Sequence, residues 1–311
     1  MGRFLNPDNS AFMATLKSDI YIDKSELLAY TNKVIGTNQA FICNSRPRRF
    51  GKSVTANMMT AYYSKGCDSR EMFSSLKISK MDSFEDNLNQ YDVIHFDVQW
   101  CMMDAGSVEN TVEYINAGIL NELMEKYTGI IPETVQTVYG AMSYIYAATG
   151  NKFIVIIDEW DVLIRDEAGN EQVQEKYINF LRGMFKGVEP TKYIGLAYLT
   201  GILPIKKYGS HSALNMFTEY SMTDPGDLAG YFGFTEQEVS RLCDTYGMNF
   251  EEAKTWYDGY HLIAHRQNGD EHYSIYSPKS VVEAMLRHKF GTYWNQTETY
   301  EALKIYIQMD M

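Results

Sequence analysis

Three short stretches hold residues that could act on a phosphorylated ligand. The first is SRPRRFGKS, Ser45 to Ser53. A phosphate-binding loop ordinarily reads Gly, four residues, then Gly-Lys-Ser/Thr. Gly51, Lys52 and Ser53 match the end of that pattern, but Arg46 stands where the first glycine belongs. Pro47, Arg48, Arg49 and Phe50 lie between. In a nucleotide site, Gly51 lets the backbone approach the phosphates and Lys52 reaches the β- and γ-phosphates. The Ser53 hydroxyl can ligate Mg2+. The candidate contact surface runs from Arg46 through Arg48, Arg49 and Phe50 to Val54. A solvated basic turn would carry the same string.

The second stretch is FIVIIDEWD, in which an apolar run meets Asp158 and Glu159. An acid at the end of such a strand can hold Mg2+, so Ser53 and Asp158 are the candidate metal ligands. A following glutamate can orient and deprotonate an attacking water, which is the role expected of Glu159. The same acids could simply cap a polar turn. The third stretch is LTGIL, where Thr200 could sense a γ-phosphate or position the water. A strand-end threonine before a glycine turn reads equally well.

These residues need a sheet edge to bring them together. AFIC (Ala40 to Cys43) reads as a buried strand, and Val54, Met58, Met59 and Tyr62 recur at helical spacing after GKS. Strand, basic loop and helix therefore follow in order, which places the loop at a helix N-terminus with its free N–H groups. Tyr91 to Trp100, Phe153 to Ile157 and Tyr193 to Leu203 read as further strands. The intervening helices include one over Glu133 to Thr149, one capped by Ser107, and one bearing Val173, Tyr177, Phe180, Leu181 and Met184. Ser25 is expected to cap a short helix towards Val34. Strands alternating with helices imply an α/β fold whose parallel sheet is covered on both faces.

The pattern changes after about Lys207. Gly230 to Thr235 reads as a linker, and Thr235 with Glu238 forms a capping box. WYDGYHL and YSIYSP flank a polar stretch and fit a small hairpin or an extended loop. Pro278 precedes a helix over Val281 to Arg287. EALKIYIQM, at the end of the chain, is helical in pattern, and the natural domain is expected to continue beyond it.

With 311 residues, the chain can build one large or two smaller domains. Hydrophobic residues make up 45% and charged residues 22%, a globular balance. A net charge of −12 disfavours non-specific nucleic-acid binding. Cys43, Cys67, Cys101 and Cys243 form no CxxC pair, so zinc and redox motifs are unsupported and a reducing, cytoplasmic setting is expected. No signal peptide, myristoylation site or membrane span is apparent.

RPRRFGKS, FIVIIDEWD, LTGILPIKK, the ALN within His211 to Asn215, YFGFTEQEV and WYDGY together resemble the bacterial AAA-ATPase-like proteins. These are a branch of P-loop ATPases near the STAND and AAA+ groups. YIDKS (Tyr21 to Ser25) matches the family's entry motif, and the resemblance runs in motif order from about Tyr21 to Pro278. It implies a P-loop NTPase three-layer sandwich with sheet order 5-1-4-3-2, followed by a mainly helical lid. Domains over 1–225 (nucleotide binding) and 226–311 (lid) follow. It also implies ATP and Mg2+ as ligands, with Gly51, Lys52 and Ser53 as the loop and Asp158 and Glu159 as the acidic pair. Many relatives carry an arginine where this chain has Pro204, although Lys206 and Lys207 follow. Many also carry a C-terminal nuclease-like domain, for which these 311 residues leave no room. DNA association is expected only through such an additional domain.

Arg48, Arg49 and Arg182 are candidate arginine fingers, with local ion pairing as the plainer role. Trp256 and Tyr257 could stack on a base, with core packing as the alternative. The leading expectation is a Mg2+-dependent ATPase, with Lys52, Glu159 and Thr200 as catalytic residues, working as a switch or motor. The alternative is a nucleotide-dependent interaction module with little turnover, engaging a protein partner or a second copy of the chain. A small-molecule phosphotransferase ranks last, because no acceptor motif is apparent.

Overall fold

Strands buried on both faces form the centre of the molecule. The computed structural model describes residues 1–167, 169–205 and 214–293. Every residue of β1 (Phe41–Ser45), β3 (Phe153–Asp158) and β4 (Ile194–Gly201) is buried. β2 (Asp92–Asp97) and β5 (Thr218–Tyr220) complete the sheet, whose order is β5-β1-β4-β3-β2. All four pairings are parallel. The expected order 5-1-4-3-2 is thus the observed one. Parallel strands need helical crossovers, and covered faces explain why these strands read as unbroken apolar runs.

Helices form the two outer layers. One face packs α1 (Ser10–Leu16), α2 (Glu26–Val34), α3 (Lys52–Tyr63) and the single turns α4 (Arg70–Phe73) and α5 (Phe84–Asn87) around Ile42, Ile156 and Tyr198. The other packs α6 (Val98–Asp104), α7 (Thr111–Lys126), α8 (Val138–Thr149), α9 (Val162–Arg165), α10 (Glu171–Phe185) and α11 (Glu189–Tyr193) around Cys43, Val155 and Leu199. This is the three-layer sandwich of a P-loop NTPase.

Local chemistry moves several boundaries. The second strand stops at Asp97 rather than Trp100, because the Asp97 carboxylate accepts the Trp100 N–H and caps α6. The helix expected from Glu133 begins at Val138, where the Thr137 hydroxyl caps it. Ser25 precedes α2 as expected but does not cap it; its Oγ accepts from the Ile78 N–H at 3.1 Å. Ser107 makes no side-chain cap and leads into a 3-10 turn before α7. Val54, placed by its spacing on the buried face of α3, is 38% exposed and lies with Ser53 on the open side of the first turn, whose other residues Lys52 and Thr55 are buried.

The C-terminal region combines helices with a small antiparallel sheet. β6 (Phe234–Thr235), β7 (Asp258–Ala264) and β8 (Glu271–Tyr276) pair in the order β6-β8-β7. The hairpin alternative for WYDGYHL and YSIYSP is therefore the one adopted. β6 lies inside the stretch read as a linker. α12 (Glu236–Tyr246), α13 (Phe250–Tyr257) and α14 (Pro278–Arg287) pack on this sheet. The Thr235–Glu238 capping box opens α12 as expected. Ile20 and Ile22 also pack into this cluster, and the Lys24 ammonium reaches Glu238 Oε2 at 2.6 Å and the Gly230 carbonyl at 2.8 Å. The YIDKS motif thus ties the N-terminal segment to the C-terminal region. Lys206, Lys207, His211 to Ala213 (the last opening the ALN motif) and the terminal EALKIYIQM lie outside the described residues.

Candidate nucleotide site

The loop 46–51 leaves β1 at the C-terminal edge of the sheet and turns into α3. Gly51 sits at φ 88°, in the left-handed region that glycine enters without penalty. A Cβ at this position would meet no protein atom within 4 Å, so the space beside it is open to a ligand. The Gly51 carbonyl accepts both the Thr55 N–H and the Thr55 hydroxyl, which locks the first turn of α3. Ser53 is exposed at that helix start, where unpaired N–H groups favour an anion.

Lys52 is only 4% exposed. Its Nζ donates to the Pro47 carbonyl at 3.1 Å and lies 3.8 Å from Glu159 Oε1. Burial pulls its pKa below the ordinary lysine value, and Glu159 and Asp158 oppose that shift. A buried ammonium so sparsely bonded suits a group that brings more negative charge.

The acidic pair ends β3. Asp158 is buried, and its Oδ1 accepts the Glu159 N–H at 3.0 Å and the Thr200 hydroxyl. Thr200 thereby holds the Asp158 carboxylate across the β3–β4 junction. Glu159 has φ 49°, a strained backbone for a side chain of this kind. Burial raises its carboxyl pKa, with Lys52 pulling in the opposite direction. Glu159, Asp158 and Lys52 therefore converge, with Thr200 behind Asp158.

Three residues of the loop are placed differently from one another. Arg46 is fully buried; its Nη1 donates to the carbonyls of Ser45 and Tyr220, each at 2.9 Å, and its guanidinium lies 5.4 Å from the Phe232 ring centre. Arg48 and Arg49 are exposed, and Arg49 adopts φ 65°. Phe50 is buried against the C-terminal sheet, edge-on to Tyr260 with 5.1 Å between ring centres. Arg182 bonds Asn179 within α10. Tyr257 is buried and Trp256 is 40% exposed.

Sequence reasoning passed over Asp161, Arg165, His95 and Asp97. Asp161 is fully buried, and its Oδ2 accepts the N–H groups of Ile202 and Leu203 at 3.1 and 2.8 Å. Arg165 Nη1 lies 3.2 Å from the same oxygen and 3.7 Å from Glu159 Oε2. The four-residue spacing of Asp161 and Arg165, one helical turn, was the available signal. Asp97 lies in register beside Asp158. His95 shares a 2.8 Å hydrogen bond with Thr60, and burial depresses its pKa to about 4 against the pull of Asp158.

Among the described residues no three His, Cys, Asp or Glu side chains gather as a metal cage. A cation here would rest on the Asp158 carboxylate, the Ser53 hydroxyl and oxygens of its own ligand. That all-oxygen, substrate-completed set fits Mg2+, which keeps few protein ligands. The four cysteines are unpaired, and among the described residues no helix is long and apolar enough to cross a membrane.

Comparison with known proteins agrees with this architecture. A stretch of 157 residues is 23% identical to the protein named "Uncharacterized protein in vnfD 5'region" from Azotobacter chroococcum mcd 1. The match covers 50% of this chain and 28% of that protein, so the chain spans well under two thirds of that relative. The family model described as "Predicted AAA-ATPase" matches residues 12–210, more than half of the chain. The chain belongs to the AAA-ATPase-like family.

Proposed function

We propose that the protein binds Mg2+-ATP at the loop 46–54 and hydrolyses it, with the C-terminal region responding as a lid. The observation that carries this reading is the buried Lys52 ammonium, held between its own loop and Glu159 at the edge where β1, β3 and β4 end. Lys52 would leave Glu159 for the β- and γ-phosphates. The α3 N-terminus would supply N–H groups to the same oxygens. Bound through Ser53 and Asp158, Mg2+ would neutralise charge on the phosphate oxygens. Glu159 would accept a proton from the attacking water. Thr200 acts through Asp158, orienting that carboxylate. Arg46 would support the loop from beneath, Arg48 and Arg49 would contact phosphate or a partner, and Phe50 would carry the state of the loop to the lid. The division is 1–225 for the nucleotide-binding unit and 226–311 for the lid.

A second reading, a nucleotide-gated interaction module with little turnover, is favoured by one observation. Pro204, where many relatives carry arginine, is buried and brings no side-chain charge. Equilibrium binding and phosphate release separate the two readings. Wild type should bind ATP only with Mg2+, Lys52→Ala should abolish binding, and Glu159→Gln should retain ATP while releasing phosphate only at a slow residual rate. Unchanged binding in Lys52→Ala would remove the nucleotide assignment. Wild-type binding without phosphate release would establish the module instead.

A further inference from the structure

Among the described residues, two cations of different kinds flank Glu159. Lys52 reaches Oε1 on a flexible stem, and its other bond is to the Pro47 carbonyl of its own loop. Arg165 reaches Oε2 from α9, a single turn whose Val162, Leu163 and Ile164 are buried in the core. The Arg165 side chain is only 8% exposed and is fixed on two further sides. Its Nη1 meets Asp161 Oδ2, and its Nε donates to Asp166 Oδ1 at 2.8 Å. Asp161 is in turn pinned by the Ile202 and Leu203 N–H groups that follow β4. Among the described residues, the charged groups around Glu159 are therefore Lys52 from α3, Asp158 and Asp161 from its own turn, and Arg165 from α9.

When a phosphate draws Lys52 away, Arg165 is the cation that stays. Its Nε and Nη2 fork the Asp166 carboxylate and its Nη1 is held by Asp161, so the Nη1 charge 3.7 Å from Glu159 Oε2 has a fixed position, which a lysine on a flexible stem does not offer. We propose that Arg165 is a positioning residue that holds the Glu159 carboxylate in place once Lys52 has moved to the phosphates. It would act through Glu159 and touch neither nucleotide nor metal. The inference rests on the reading of Glu159 as the residue that activates water.

The test is a double-mutant cycle on the whole chain, using R165A, R165K, E159Q and the pairs with E159Q. Removing Arg165 should lower kcat for Mg2+-ATP by about tenfold and leave the nucleotide Kd within about threefold, because only the reacting geometry is lost. R165K should recover part of that kcat. E159Q with R165A should be no slower than E159Q alone, since a residue acting through another adds nothing once that partner is gone. A kcat for R165A within about twofold of wild type, or losses that multiply in the double variant, would overturn the proposal. A second cycle uses denaturant midpoints of the ligand-free proteins and needs no turnover. Non-additive midpoints are expected, and additive ones would show that the pair does not interact. If R165A fails to fold, the R165K pair runs the same cycles. Wild type that binds ATP without releasing phosphate would sink the ATPase reading, and this inference with it, whatever the midpoints show.

Discussion

Replacing Phe50 by alanine perturbs the joint between the loop 46–51 and the C-terminal sheet. Phe50 is 3% exposed and packs with Leu262 and Ile275, while Met222, Tyr260 and Tyr273 surround them. Its carbonyl accepts the Gly233 N–H at 3.3 Å, and its ring meets Tyr260 edge-on. A phenylalanine lost from a deep core costs about 3–5 kcal/mol. This cluster is small and its neighbours are partly exposed, so the gap can collapse or fill with water. The expected cost is therefore nearer 2–3 kcal/mol, including roughly 0.5–1.5 kcal/mol for the aromatic pair. Spread over cooperative unfolding of the whole chain, that lowers Tm by only about 4 °C. If the C-terminal region comes loose by itself, the same energy acts on far fewer residues, and a separate transition should appear about 10 °C or more below the main one. Calorimetry distinguishes these cases, and hydrogen exchange of β7 and β8 locates the loss. Mg2+-ATP should protect β7 and β8 in wild type and fail to do so in Phe50→Ala. A variant within about 0.5 kcal/mol of wild type, with unchanged exchange in β7 and β8, would refute the argument that Phe50 joins the two parts.

Three further perturbations separate ligand chemistry from folding. Gly51→Ala should cost about 1–2 kcal/mol of stability, since its Cβ meets nothing and only the left-handed backbone is strained; nucleotide affinity should fall by at least about tenfold, because that Cβ occupies the open side of the loop. Asp92→Asn should cost about 2–3 kcal/mol in denaturant unfolding, because Asp92 is buried among Lys126, Lys65, Asn6 and Tyr127, while the lysines that lose their counter-charge keep part of their contact with water. Burial raises the Asp92 carboxyl, but the bonds from Lys126, Asn6 and Tyr127 outweigh it and hold it at about 2; the stability it contributes is therefore full above pH 4 and drains away between about pH 4 and pH 2. His95 stays neutral down to about pH 4, so the unfolded chain binds the extra proton between pH 6.5 and 4. Stability should fall on acidification through that window by up to roughly 3 kcal/mol, and a urea series on His95→Gln should show a flatter slope there.

The sequence made legible the parts whose chemistry is local. The buried runs of β1, β3 and β4 read as strands because parallel strands covered on both faces need no polar alternation. The loop was visible because GKS sits between such a run and an amphipathic helix. β5 was not located, since Thr-Glu-Tyr is three residues on the sheet edge and only Tyr220 is buried. The strand reading of Val98 to Trp100 failed because the cap that turns the chain into α6 is a tertiary outcome of where β2 ends. The role of Arg165 was hidden for the same reason. Its pairing with Glu159 depends on α9 folding back beside the β3 edge, and ion pairs of this kind leave no periodic trace.

The missing first glycine now has a structural counterpart. A glycine at position 46 would leave the loop start free; Arg46 instead pins it. Its guanidinium is fully buried, bonded to the Ser45 carbonyl on β1 and the Tyr220 carbonyl on β5, and lies against Phe232. A buried guanidinium is costly unless it is paired, and two carbonyl acceptors on Nη1 and the Phe232 face offset part of that cost. Phe50 pins the other end of the loop to β7 and β8. Between these two anchors lie Pro47, with its fixed φ, and the exposed Arg48 and Arg49. The loop is therefore shaped by the protein rather than by a ligand, and both anchors reach elements that follow β4. Any change of loop conformation on binding phosphate must be transmitted to Phe232 and Tyr260 or resisted by them. Arginine in place of glycine ties the start of the loop to β5 and Phe232, so on the proposed reading a phosphate bound at the loop would be felt in the C-terminal region.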